Sequence, residues 1–292
     1  MVIINNYIVF PKSKNEVRKE IYIMILNYDE YITHKGSYGK NSGSSKLDKV
    51  FFQKRGYCPF CQISIDMVHN KGNLDTSSLP GGEIHLSETV WECDNCGWWE
   101  RFYQSYIDAE TSWDIKDWED KVNSAILKKF DVDSKEVPIE ILSDYILKNP
   151  EKIYGIHHNK MEELVGSVFK EHYNCEVHHV GMSGDGGKDL ILIESDKSIV
   201  VQVKRRQSRN KTETASCVRD LIGATLLNGS RDCIFVSTAD HFSKQSIKHK
   251  EDALAMKIID SFELFDIDKF MGVLNLHTSE REKLWKELIE IK

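Results

Sequence analysis

The stretch Gly181-Met-Ser-Gly-Asp-Gly-Gly-Lys-Asp189, followed by Ile199-Val-Val-Gln-Val-Lys204, decides how this chain is read. It has the form of a glycine-bearing turn, an acidic residue opening a strand, a tight turn through Ser195-Asp196, and a second strand. Side chains alternate between the faces of a strand, so Gln202 and Lys204 share a side. A hairpin through Ser195-Asp196 brings Asp189 beside them. A carboxylate, an amide oxygen and an ammonium then surround one point, next to the basic run Lys204-Arg205-Arg206. Such a grouping suits a divalent cation and a phosphodiester.

Outward from this stretch, the pattern alternates between helix and strand. An amphipathic helix covers Met161–Tyr173, with Leu164, Val165, Val168 and Phe169 on one side. Strands are expected near 175–180, 189–194 and 199–204, then a helix over 215–228, a strand Cys233–Ser237, a helix Ser243–Ala255 and a strand Lys257–Ser261. This order gives an α/β fold with a mixed central sheet flanked by helices. The tail, Ser279–Ile291, reads as a charged helix with Leu284, Leu288 and Ile291.

The N-terminal half differs. Residues 1–45 suggest a strand, then a helix from Lys14 to about Tyr31 with Val17, Ile21 and Ile25 at helical spacing, then a Gly- and Ser-rich flexible linker over 35–45. Residues 46–110 hold two cysteine pairs. Residues 111–150 read as a helical connector, first through Trp113, Ile115, Trp118, Val122 and Ile126, then through Ile139, Ile141, Leu142, Tyr145 and Ile146. Pro150 falls where chains leave a helix. Residues 151–292 form the last domain.

Composition excludes several classes. The 292 residues suffice for two compact domains, and 40% hydrophobic with 29% charged residues is ordinary for a soluble chain. Nothing approaches the ~18 apolar residues of a membrane helix, and Met1–Phe10 lacks the marks of a signal peptide. The net charge of −7 rules out a generally basic surface but not a local basic groove. Seven cysteines without a secretory leader point to a reducing cytoplasm. Cys175, Cys217 and Cys233 sit singly in apolar surroundings, as buried thiols do.

Cys58-Pro-Phe-Cys61 and Cys93-Asp-Asn-Cys96 are two knuckles separated by 31 residues. Two residues between cysteines let both thiolates meet one tetrahedral Zn²⁺, and Gly97 suits the left-handed turn that follows. Ser77–Gly82 lies between two expected strands, so an enlarged zinc ribbon with a closed, structural site is expected. His69 and His85 are spare ligands to a shell the cysteines already complete. Trp98, Trp99, Arg101, Phe102 and Tyr103 either pack as core, with the helices bearing Trp113 and Trp118, or stack on nucleic-acid bases.

About 40% of the chain, residues 151–268, resembles the Mrr-type restriction endonucleases within the PD-(D/E)xK nuclease superfamily. The resemblance rests on Met161-Glu162-Glu163-Leu164-Val165, on Gly184-Asp-Gly-Gly-Lys-Asp189-Leu190 and on Gln202-Val-Lys204, and continues through Val218–Ala224 and Phe235–Ser243. It implies that Asp189 is the obligatory carboxylate for Mg²⁺ and that Gln202 ligates through its amide oxygen. Many relatives outside this subfamily keep Glu or Asp at that position; the uncharged amide implies weaker metal binding. Lys204 orients the attacking water, and Glu162 completes the metal shell, in preference to Glu163. Asp185 is read as a turn former, His178 and His179 as incidental. In Lys204–Lys211 five cations fall within eight residues; Arg205, Arg206, Arg209 and Lys211 are the expected contacts to DNA phosphates.

The expectation is therefore a Mg²⁺-dependent endonuclease in restriction or anti-phage defence, acting on duplex DNA as a homodimer or larger assembly, with no membrane association. The zinc module would sense the target or bind a defence-system partner protein. RNA or branched DNA as substrate, and a non-cutting scaffold subunit, are the alternatives, because fold does not decide substrate.

Overall fold

A computed structural model of the chain describes all residues except 1, 5–6, 10–23, 40–55, 78–81, 110–114, 181–187, 196, 279–281 and 292. In chain order the first strands are β1 (Val2–Ile4), β2 (Tyr7–Val9), β3 (Met24–Gly39), β4 (Asp66–Asp75), β5 (Gly82–Glu92), β6 (Trp99–Ala109) and β7 (Ile115–Asp131). Helices α1 (Ile139–Lys148) and α2 (His158–His172) follow, then β8 (Glu176–His179), β9 (Leu190–Glu194), β10 (Lys197–Lys204) and β11 (Thr212–Glu213). The remainder comprises α3 (Ala215–Leu227), β12 (Asp232–Ser237), β13 (His241–Phe242), α4 (Lys244–Ala255), β14 (Ser261–Phe265), α5 (Ile267–His277) and the four-residue α6 (Leu284–Glu287). The backbone groups into two compact units, Met1–Lys129 with Glu282–Lys292, and Phe130–Arg281.

The first unit is built on a five-stranded sheet in the order β3-β7-β6-β5-β4. Two helical expectations fail here. The described part of the 14–31 segment is strand from Met24 onward, and β3 continues through 35–39, where a linker was expected. The remainder of both segments lies outside the described residues. The first half of the expected connector is β7, paired antiparallel with β6 from Ser124 opposite Glu100 to Ile115 opposite Ala109. Its strand period was hidden because buried positions carry polar residues that satisfy one another. Asp120 accepts from Gln104 at 2.8 Å, Asn123 from the Arg101 guanidinium at 3.0 Å, and Ser124 donates to Glu100 at 3.2 Å. Such pairs remove the penalty of burying polar groups, and with it the apolar signal. The second half of the connector is helical, as expected.

The C-terminal tail belongs to this unit. Instead of one long helix over 279–291, the described residues show a single turn and an extended end. Trp285 packs with Cys58, Val90, Trp98 and Trp99, and its indole N–H donates to Glu92 at 2.9 Å. The backbone N–H groups of Glu290 and Ile291 donate to the Glu88 carboxylate at 3.1 and 2.7 Å. Glu88 and Arg101 are both fully buried and paired with each other. Glu88 thus takes up the backbone donors of the extended end that follows the helical turn.

The second unit carries a five-stranded mixed sheet, β14-β12-β10-β9-β8. β10, β12 and β14 run parallel, while β8, β9 and β10 run antiparallel. Each parallel connection crosses through a helix, α3 and then α4. Phe262 and Phe265 are three apart on β14 and so face opposite sides. Phe262 joins Val200, Val218, Leu221 and Phe235 under α3 and α4, while Phe265 meets Phe169 of α2 at 5.2 Å. Gly166 allows α2 to approach β8, since a Cβ there would come within 3.2 Å of the His179 ring.

Apart from the short parallel pair β11 and β13, which lay outside the expectations, helix and strand boundaries in this unit follow the sequence reading closely, with two further departures. The strand expected at Lys257–Ser261 begins only at Ser261, because Lys257 turns left-handed (φ +55°) at the end of α4. Helix α5, capped by the Asp266 side chain accepting from Lys269 N at 2.9 Å, was not foreseen. No helix among the described residues is long and apolar enough to cross a membrane.

Candidate active site and cysteine centre

The β9–β10 hairpin turns at Ser195, which takes a left-handed backbone (φ +56°). Its ladder runs from Lys197 opposite Glu194 to Val201 opposite Leu190. Beyond that pair, Asp189 N donates to Val201 O at 3.0 Å and Asp189 Oδ2 accepts from Val203 N at 2.6 Å. The carboxylate is therefore fastened to β10 between Val201 and Val203, alongside Gln202. Gln202 is buried. The residues brought together are Asp189, Gln202 and, two positions along the same face, Lys204. The glycine turn 181–187 that precedes them, including Asp185, lies outside the described residues.

Glu162 stands on α2, which packs against β8, β9 and β10. It is half-buried, with fully buried Met161 before it. Its neighbour Glu163 is taken by Lys160, at 2.5 Å. His178 and His179 are exposed on β8.

Lys204 ends β10, where its carbonyl accepts from Thr238 N at 3.1 Å. Its ammonium donates to Cys217 Sγ at 3.1 Å and lies 6.0 Å from the centre of the Phe235 ring. The basic run beyond it is already engaged within the chain. Arg205 donates to Tyr154 O at 2.6 Å, and exposed Arg209 pairs with Asp268 at 2.7 Å. Arg206 grips the fully buried carboxylate of Glu213 through two nitrogens at 2.6 and 2.5 Å, and Ser237 Oγ donates to the same group at 2.6 Å. Burial pulls the Glu213 carboxyl upward, but those hydrogen bonds outweigh it and hold it below the usual carboxylate range. Lys211 is exposed. The sequence reading gave Cys217 as a buried thiol, which it is, but missed its contact with Lys204, together with Glu213 and Ser237, because no local motif marks residues that meet only when β10, β11, β12 and α3 converge.

In the first unit the four cysteine sulfurs of residues 58, 61, 93 and 96 all lie within 4.8 Å of one another. Cys58 Sγ and Cys96 Sγ are 3.6 Å apart, against an edge of about 3.8 Å for a tetrahedron with Zn–S bonds of about 2.3 Å. The two knuckles repeat one backbone scheme. Cys58 N donates to Ile63 O at 2.9 Å and Cys93 N to Trp98 O at 2.8 Å, while Gln62 and Gly97, both at positive φ, donate to the carbonyls of Cys58 and Cys93. Cys61 N and Asn95 Nδ2 donate to the sulfurs of Cys58 and Cys61 at 3.3 and 3.2 Å. The set fits Zn²⁺ with every position filled by sulfur. His69 instead faces Glu88 at 3.7 Å, and His85 packs on Tyr106 at 5.6 Å. Trp98, Trp99, Arg101 and Phe102 are buried and belong to the core, while Tyr103 of the same cluster is only partly buried.

Residues 153–267 match the family model for the Mrr catalytic domain, described as a restriction endonuclease. Among solved structures, that of the restriction endonuclease FokI aligns at 13% identity and a TM-score of 0.33, over 52% of this chain and 30% of that one. The alignment thus spans less than a third of that enzyme's length. No curated protein matches the chain. Residues 153–267, which carry the β9–β10 hairpin and the mixed sheet, are thus similar to an Mrr-type restriction endonuclease domain.

Proposed function

We propose that the protein is a Mg²⁺-dependent endonuclease that hydrolyses phosphodiester bonds of duplex DNA, in restriction or anti-phage defence within the cytoplasm. The observation that carries this is the Asp189 carboxylate fastened to β10 beside Gln202, with Lys204 on the same strand. The donors offered there are oxygens, from Asp189, Gln202 and Glu162 on α2, the ligand type that hard cations select. An Mg²⁺ ion held by these residues would supply positive charge where negative charge builds on the phosphate. Lys204 adds a second positive charge and a hydrogen-bond donor to orient the attacking water. Gln202 brings no charge, so the site holds its ion less tightly than a pair of carboxylates would.

Among the basic run, Lys211 and the outer faces of Arg205, Arg206 and Arg209 contact phosphates, adding to the contacts they already make. Zn²⁺ at the four cysteines staples the first unit, which senses the target or a defence partner. Severing both strands calls for two sites, hence a homodimer. Purified protein is incubated with supercoiled plasmid and Mg²⁺, beside EDTA and Asp189→Ala controls. Nicking or linearisation lost in both controls supports the reading. Full activity in Asp189→Ala sinks it, and cleavage confined to RNA or branched DNA replaces its substrate.

A further inference from the structure

A lysine at the end of a strand carries about 2 kcal/mol of rotamer entropy and is ordered only if something holds its ammonium. Here the holder is a sulfur. Cys217 lies in the first turn of α3, its N–H donating to Thr214 O at 3.2 Å and its sulfur 3.6 Å from Thr214 Oγ1. Lys204 Nζ reaches that sulfur at 3.1 Å. The charged groups facing the sulfur are Lys204 from β10, Arg206 from the loop after it, and Glu213 from β11. Glu213 is turned to Arg206 and Ser237. Burial raises the thiol, yet the bonds from Lys204 and Thr214 outweigh it and the balance lies below the ordinary value. The N-terminus of α3 favours negative charge at the same place.

We propose that Cys217 is the positioning residue for Lys204: its sulfur fixes the ammonium over the face that Gln202 occupies, so that the charge is in place before DNA arrives. This rests on the nuclease reading above. Preorganisation matters because misplacing a reacting group by about 1 Å costs about a hundredfold in rate. The sulfur touches no substrate and takes no part in bond making. It acts through Lys204 alone.

The full-length protein is tested with Cys217→Ala and Cys217→Ser. Cys217→Ala is expected to lower kcat for plasmid cleavage about tenfold with KM for DNA unchanged. Cys217→Ser, whose oxygen still accepts from Lys204, keeps most of the rate. An unchanged kcat in Cys217→Ala, or equal losses in kcat and in affinity, overturns the proposal. A readout independent of cleavage is the pH profile of Cys217 alkylation by iodoacetamide, mapped by peptide mass spectrometry. Without the ammonium, in Lys204→Met, its midpoint moves to higher pH. Coincident profiles overturn the contact whether or not the protein cuts DNA, and they decide the matter should Cys217→Ala fail to fold. Shifted profiles in a protein that cleaves nothing would remove the positioning role together with the nuclease reading, leaving a structural pair.

Discussion

The two units of this chain bury different things. The second unit fills the space between sheet and helices with Val200, Leu221, Phe235, Phe262 and their neighbours, and gathers its polar groups at the ends of β9, β10 and β12. The first unit buries Glu88, Arg101, Asp120 and Asn123 inside its sheet and sets four thiols beside Trp98 and Trp99. An apolar core holds itself together through burial, roughly 25 cal/mol per Å². A core of charges and thiols depends on every partner being present. The largest expected effect breaks the comparison at that point. Chelation of zinc, or Cys93→Ser, abolishes the unfolding transition of the first unit, because structural zinc contributes on the order of 10 kcal/mol to small domains. The transition of the second unit persists. Calorimetry that shows both transitions lost together, or neither, would contradict this division.

Next in size is Arg101→Met. It leaves the Glu88 carboxylate buried with the backbone donors of Glu290 and Ile291 but without its countercharge. Removing one partner of a buried pair destabilises by about 3–5 kcal/mol. Arg101→Met combined with Glu88→Gln should recover part of that loss in chemical denaturation. Equal losses in the single and double variants would mean that the pair itself contributes little.

The same contrast explains what was legible in the sequence. In the second unit apolar residues sit where the period of each element puts them, so Leu164, Val165, Val168 and Phe169 announce α2 and Ile199–Val203 announces β10. Asp189, Gln202 and Lys204 could be placed together because they lie on one hairpin, and strand alternation is local. Their surroundings could not, since Cys217, Glu213 and Ser237 arrive from three other elements. In the first unit β7 read as a helix because Trp118, Val122 and Ile126 stand at helical spacing, whereas the residues it buries include Asp120, Asn123 and Ser124 beside Val122 and Ala125. A polar residue buried by pairing carries no hydrophobic signal. The cysteine pairs escaped this difficulty, because metal-ligand spacing is written into four adjacent positions of each knuckle.

A smaller effect sharpens the comparison inside the second unit, where Glu213 is a fully buried carboxylate. Its folded pKa lies below the unfolded value, about 4.3 for a free glutamate. The stability it contributes is therefore present above that value and lost as pH falls through the folded pKa. Urea unfolding of the second unit should show Glu213→Gln less stable than the native chain at pH 6, with the difference shrinking below about pH 4. A difference that stays constant with pH would mean that shape rather than charge is what Arg206 and Ser237 recognise.

The smallest effect concerns Arg209. Its partner Asp268 and the arginine itself are both more than half exposed, and exposed pairs contribute about 0–1 kcal/mol. Arg209→Ala should leave the unfolding midpoint of the second unit nearly unchanged, in contrast to Arg206→Ala, which strips the buried Glu213 of its countercharge. If Arg209 also reaches a phosphate, the same substitution lowers the salt dependence of DNA binding by about one counterion. Arg206→Ala would instead weaken binding chiefly by loosening the strand ends that carry Lys204. Measuring affinity against salt for the two variants separates a side chain that meets DNA from one that builds the surface on which DNA rests. Parallel slopes for Arg209→Ala and the native chain would assign Arg209 wholly to Asp268, and would shift the phosphate contacts toward Lys211.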